Sequence, residues 1–100
     1  MNATPESTLR LDANARWITG TVGTFQVQAL AFVEGSEDFG MPEENRISKL
    51  WVALPGTPRV VLYNYDRGLD KNHLNAEGLA EMIAAVIAVV ETPEFVAARS

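Results

Sequence analysis

The sequence predicts an α+β domain: an antiparallel sheet of about four strands in the order β-β-β-β-α, with a long apolar C-terminal helix packed on one face. Three observations predict it. Between residues 17 and 66, extended segments rich in β-branched, aromatic and alternating apolar residues follow one another without a helical segment. Glycine- and proline-bearing turns at Gly23 and Pro55–Pro58 are short enough to join neighbouring strands antiparallel. A stretch at helical spacing then fills residues 76–91.

Residues 1–15 carry little pattern and are expected to form a loosely ordered arm ahead of a single domain over 16–100. Within the arm, Thr4-Pro5-Glu6 has the cap-then-proline order of a helical turn. Trp17 to Thr21 reads as a short first strand, closed by the turn at Gly23. Thr24 to Glu34 is a longer strand. Phe25, Val27, Ala29, Ala31 and Val33 share one of its faces, and Gln26 and Gln28 lie on the other. Leu30 and Phe32 fall on that second face as well. The strand is therefore either covered twice or switched by a bulge.

Residues 35–45 form an acidic loop with Glu37, Asp38, Glu43 and Glu44. Ile47 to Leu54 is a third strand and Arg59 to Asp66 a fourth. A loop of Gly56 and Thr57 sets Leu54 opposite Arg59. On that register Ser48, Leu50 and Val52 share a face with Val61, Tyr63 and Tyr65. Lys49 and Trp51 share the other with Leu62, Asn64 and Asp66. Asn72 or Asn75 caps the following helix, from about Ala76 to Glu91, with Glu77 in its first turn. Thr92-Pro93-Glu94 stops it and can start a short last helix over 93–99.

Composition bounds the function. The chain has 100 residues, 47% of them hydrophobic and 21% charged, which suits one globular core. It has no cysteine, which excludes disulfides and thiolate chemistry. Met1 to Thr8 lacks the pattern of a signal peptide, and the apolar run Met82 to Val90 is about half of what spans a bilayer. A cytoplasmic location and no membrane partner are the expectation. With 13 acids against 8 bases the net charge is -5, so direct nucleic-acid binding is not expected.

No polar side chain lies between Glu81 and Glu91. A helix of that kind is expected to be buried on more than one side. The arm or the last helix can cover it. Otherwise a second copy does, in a homodimer with Met82, Ala85, Val86 and Val89 at the interface.

Connection order brings the acidic loop, Arg46, residues 66–68 and the helix N-terminus to one end of the sheet. Arg46, Ser48, Lys49, Tyr65, Asp66 and Arg67 are the candidate ligand-binding residues there, suited to an anion. The competing reading has Arg46 and Arg67 pin the loops through Glu34, Glu37, Asp66 and Asp70. The acidic loop matches no calcium-binding spacing, and no metal site or cofactor is expected. His73 has no nucleophile to activate and belongs in an exposed helix lead-in. No catalytic residue is identified.

Arg46-Ile47-Ser48-Lys49-Leu50, followed by Tyr65-Asp66-Arg67-Gly68-Leu69-Asp70, resembles a family of small uncharacterised bacterial and phage proteins. That family carries Gly-Arg-Ile-Ser-Lys-Leu and Tyr-Asp-Arg-Gly-Trp-Asp segments before a C-terminal helix. Ser36-Glu37 and Phe39-Gly40-Met41 are also similar, and the resemblance spans Trp17 to about Glu91. Asn45 stands where the pattern has Gly and Leu69 where it has Trp, and the loop is longer by Asp38 and Pro42 to Glu44. The resemblance implies the fold and a phage or mobile-element origin, and it carries no assigned function.

The expected function is a non-catalytic binding protein that modulates a host system, in the host cytoplasm if phage-encoded. It either inhibits a host protein in the manner of an anti-defence factor or sequesters an anionic, nucleotide-like small molecule. A structural or assembly subunit using the apolar helix is the alternative. A small enzyme acting through Asp66 and Asp70 is the weakest reading.

Overall fold

A computed structural model of the chain describes residues 7–12, 17–38, 40–56, 59–66 and 68–99. It is α+β, with one antiparallel sheet whose six strands lie side by side in chain order. They are β1 (Arg10–Leu11), β2 (Ile18–Val22), β3 (Phe25–Ala31), β4 (Ile47–Leu54), β5 (Val60–Asp66) and β6 (Leu69–Asn72). Two helices follow, α1 (Ala76–Val90) and α2 (Pro93–Arg99).

Six strands correct the expectation of four. The two additions are the sheet edges. β1 has only two residues, too few to show a period, and pairs Arg10 with Thr19 and Leu11 with Ile18. β6 reads Leu-Asp-Lys-Asn and is exposed throughout, so no buried face marks it. Charged and polar edges of this kind suppress strand addition by another chain.

The C-terminal half is corrected too. The chain does not close on one long apolar helix buried on several sides. α1 has 15 residues and buries one stripe only, Met82, Val86 and Val90. Much of its apolar character is alanine, and Ala76, Ala80, Ala84 and Ala88 face solvent at little cost. The chain then ends in the seven-residue α2. Asn75 caps α1, its side chain accepting from the Gly78 amide at 2.6 Å. Thr92 separates the helices. Its hydroxyl donates to Val89 O at 2.7 Å and accepts from the Phe95 amide at 3.2 Å, with Pro93 at the first position of α2.

The register differs from the expected one by two compensating steps. Leu54 pairs with Val60 rather than Arg59, a shift of one residue. A bulge between Val52 and Ala53 leaves Leu62 as an extra residue on β5 and adds a second. A single slip would turn every side chain of β5 over, and two restore its faces. Leu50 therefore opposes Tyr65 and Val52 opposes Tyr63 on the helix side, while Lys49 opposes Asp66 and Trp51 opposes Asn64 on the other. A second bulge settles the double-faced end of β3. Leu30 pairs with Lys49 but Ala31 with Ile47, so Ser48 is the extra residue. Phe32 and Val33 lie past the strand end and are exposed.

The core lies between sheet and helices. Ile18, Val22, Val27, Ala29, Ile47, Leu50, Val52, Tyr63 and Tyr65 meet Met82, Val86, Val90 and Phe95 there, and Met41 from the acidic loop joins them. Gly20 sits on β2 with φ 147°, and a Cβ there would lie 2.7 Å from the Thr8 carbonyl oxygen. Glycine is what lets the segment before β1 close over that strand.

Tyr63 is 2% exposed, and its phenol is pushed up to about 12, first by burial and then by the Glu43 carboxylate and Tyr65. The neutral phenol is thus favoured in the folded state. Its contribution is complete below the unfolded value of about 10 and is lost as pH rises through about 12. Tyr63→Phe is expected to flatten the fall in stability over that window, read from urea midpoints measured across it.

Candidate functional site

Among the described residues, the helices cover one face of the sheet and leave the other open. Residues directly opposite one another on adjacent strands share a face, so the pairing defines what the open face carries. One row crosses all six strands: Arg10, Thr19, Gln28, Trp51, Asn64 and Lys71. The next holds Leu30, Lys49 and Asp66, beside Trp17 just ahead of β2. A third pairs Thr21, Gln26 and Ala53.

Two tryptophans dominate this face, both partly exposed. The Lys49 ammonium lies 5.8 Å from the centre of the Trp17 ring, and the Arg59 guanidinium 5.5 Å from that of Trp51. Such exposed cation–π contacts contribute about 0.5–1 kcal/mol each. Lys49 also approaches Asp66 at 3.5 Å, and Asp70 accepts from the Asn64 amide at 3.5 Å. Trp17, Gln28, Lys49, Trp51, Asn64 and Asp66 line one shallow depression. A second adjoins it, between Trp51, Arg59 and the threonines Thr19 and Thr21.

Charge is sorted by layer. Among the described residues the open face carries four bases (Arg10, Lys49, Arg59, Lys71) and three acids (Asp66, Asp70 and, just past β1 opposite Trp17, Asp12). The remaining glutamates lie elsewhere. Glu34, Glu37, Glu43 and Glu44 sit in the loop between β3 and β4, as does Asp38, while Glu77, Glu81, Glu91 and Glu94 sit on or between the helices. An acidic chain thus presents one face on which, among the described residues, bases outnumber acids four to three.

Six residues were expected to form a single site at the sheet end, and the five of them that are described are divided by the sheet. Lys49 and Asp66 are on the open face and pair with each other. Tyr65 is on the helix side, where its hydroxyl donates to Gly40 O at 3.0 Å and ties the acidic loop to the core. Ser48 is the buried bulge residue, its hydroxyl donating to Leu30 O at 3.4 Å. Arg46 donates from Nε to Glu44 Oε1 at 2.6 Å, as expected of an arginine that pins a loop. Arg67 lies outside the described residues. Among the acids weighed for catalysis, Asp66 meets Lys49 and Asp70 meets Asn64. His73 is exposed, and its amide donates to Leu62 O, extending the β5–β6 ladder.

Of the helix residues expected at a dimer interface, Met82 and Val86 are covered by the chain's own sheet, and Ala85 and Val89 are half-buried. A different stripe of α1 remains open. Leu79, Ile83 and Ile87 line an apolar groove with Leu74, and Glu43 and Glu44 form its rim. No helix of the described residues is long and apolar enough to cross a membrane.

Trp17 and Trp51 were not among the residues singled out. The signal was the period-two placement of Gln26, Gln28, Lys49, Trp51, Asn64 and Asp66 on one side of three strands. Polar residues clustered on a face together with tryptophan mark a surface that is open and adhesive, since tryptophan is costly to expose without use.

A family model described as Domain of unknown function (DUF7678) matches residues 16–90. The match runs from just before β2 to the end of α1 and so includes both tryptophans and the open face from β2 to β6, while β1 with Arg10 lies outside it. No curated protein and no solved structure matches the chain.

Proposed function

The chain belongs to the DUF7678 family, a domain of unknown function, and we propose that it is a non-catalytic binding domain that takes an anionic partner on the open face of its sheet. One observation carries this reading: two partly exposed tryptophans share that face with Arg10, Lys49, Arg59 and Lys71. Tryptophan and arginine are the side chains that most often dominate binding energy. The flanking amides and hydroxyls of Gln28, Asn64, Thr19 and Thr21 add donors and acceptors. Binding at this face is how the domain modulates a host system, by occupying or withholding an anionic component.

The reading moves the ligand from the sheet end to the sheet face. Arg46 is engaged by Glu44, and Tyr65 is turned to the core. The face instead offers a continuous platform, with Arg10 and Lys71 at its two edges.

Retention on immobilised heparin tests it. Despite its net charge of -5, the wild-type chain is expected to bind the column at low salt. The double variant Arg10→Glu, Lys71→Glu is expected in the flow-through, with an unchanged circular dichroism spectrum. Both positions are exposed, so stability moves by about 0.5 kcal/mol or less. Wild-type protein in the flow-through would refute the reading.

A further inference from the structure

Resting on the open-face reading above, we infer that the anionic partner is a single-stranded nucleic acid, with its bases stacked on Trp17 and Trp51 and its phosphates met by Arg10, Arg59 and Lys71. Three features of the face fit that ligand together.

The first is the aromatic platform. Unstacked bases present π-faces, and sheets that bind single strands offer aromatic side chains from neighbouring strands to receive them. Trp17 precedes β2 and Trp51 is on β4, two strand spacings apart, about 9–10 Å across the sheet. Duplex bases are already stacked, and a broad open sheet face has no element to enter a groove. The second is the row of side-chain amides. Gln28 and Asn64 flank Trp51 directly and can pair with the exposed edges of a stacked base. An acidic polypeptide would satisfy the cations and leave both indoles and these amides without a purpose.

The third is charge, where the whole-chain value misleads. The helix acids lie behind the sheet, one packed layer of about 10 Å away. The Debye length at physiological salt is about 8 Å, so a ligand on the open face is largely screened from them. It meets Arg10, Arg59 and Lys71, while Lys49 is held by Asp66, Asp70 accepts from the Asn64 side chain and Asp12 accepts from the Trp17 backbone amide. The cations above the indoles do not block stacking. At 5.5 and 5.8 Å they are loosely placed, and an exposed cation–π contact is weaker than a stacked base. A base displaces the cation and leaves it beside the phosphate.

Three phosphate contacts set a shallow salt dependence. The slope of log K against log salt is expected near about -2 for a single strand. Most of the affinity then comes from stacking.

The test is the intrinsic fluorescence of the full chain, titrated at low salt with oligothymidylate and oligouridylate. Both oligonucleotides are expected to quench the tryptophans saturably, and a duplex of equal length to bind markedly more weakly. Trp51→Ala is expected to weaken binding about tenfold or more, and Trp51→Phe to restore most of it. Circular dichroism confirms that both variants are folded. No quenching by either oligonucleotide, from a chain that heparin retains, overturns the nucleic-acid assignment and leaves the open-face reading standing. If heparin also fails to retain the chain, both fall. Duplex binding as tight as single-strand binding overturns the stacking geometry. So does tighter binding to polyglutamate than to oligothymidylate, which would point to an acidic protein.

Discussion

Val86→Asp is expected to leave no folded protein, while Ala84→Asp, two positions earlier on the same helix, is expected to fold like the wild type. Val86 is fully buried between α1 and the sheet. An aspartate there places a carboxyl group among Ile18, Val27 and their apolar neighbours in the core. Burial of a charge without a partner costs several kcal/mol, and the lost valine packing adds to it. A domain of this size has a total stability of about 5–15 kcal/mol, so most or all of it is consumed. Ala84 is exposed at the edge of the groove formed with Ile83 and Ile87. A carboxylate there stays in water, and the change is expected to cost about 0.5 kcal/mol or less. Thermal melts followed by circular dichroism separate the two. Sedimentation of wild type against Ala84→Asp adds a second reading from the same pair. If copies pair through this open stripe of α1, the wild type sediments as the larger species and the variant as the smaller.

Phe95→Ala is expected to cost about 3–5 kcal/mol, the usual range for removing a buried phenyl ring. α2 has only seven residues, and isolated helices of that length do not persist in water. Its position depends on Phe95, which is fully buried in the core cluster. The loss corresponds to a fall in Tm of roughly 15–30 °C. Val96, the next residue, is 41% exposed. Val96→Ala is therefore the control, expected to move Tm by no more than a few degrees. Equal effects at the two positions would mean that α2 does not dock through Phe95.

The residues behind these two predictions differ in how legible they were. Helical spacing groups Val86 and Val90 with Leu79 and Ile83, and Met82 with Ala85 and Val89, so the buried trio is drawn from both apolar stripes. What the spacing lacks is the cost of exposing the rest, and for alanine that cost is small. The expectation of a helix buried on more than one side failed for that reason. Phe95 carried no periodic signal, since α2 is barely two turns long.

The candidate surface was legible in pieces. The shared face of Lys49, Trp51, Asn64 and Asp66 followed from strand periodicity and held through two register shifts, while those shifts moved Asp66 from a diagonal position to directly opposite Lys49. The grouping with Arg46, Ser48 and Tyr65 did not hold. Proximity along the chain and at a sheet end says nothing about which face a side chain takes. One residue of offset separates Tyr65, hydrogen-bonded under the acidic loop, from Asp66 on the open side.

By itself the sequence determined the α+β class, the four inner strands from β2 to β5, the start of α1 and the proline-led break before α2. Those features rest on local chemistry: side-chain periodicity, glycine and proline in turns, and hydroxyl or amide caps. Only the tertiary structure decided the edge strands β1 and β6, which are too short or too exposed to carry a periodic signal and are held by the hydrogen bonds a neighbouring strand offers them. It also decided the sorting of charge. A net charge of -5 is a sum over the chain and has no direction. Packing helices on one side of a sheet gives it one, by placing glutamates behind the core and leaving Arg10, Lys49, Arg59 and Lys71 around two tryptophans in front.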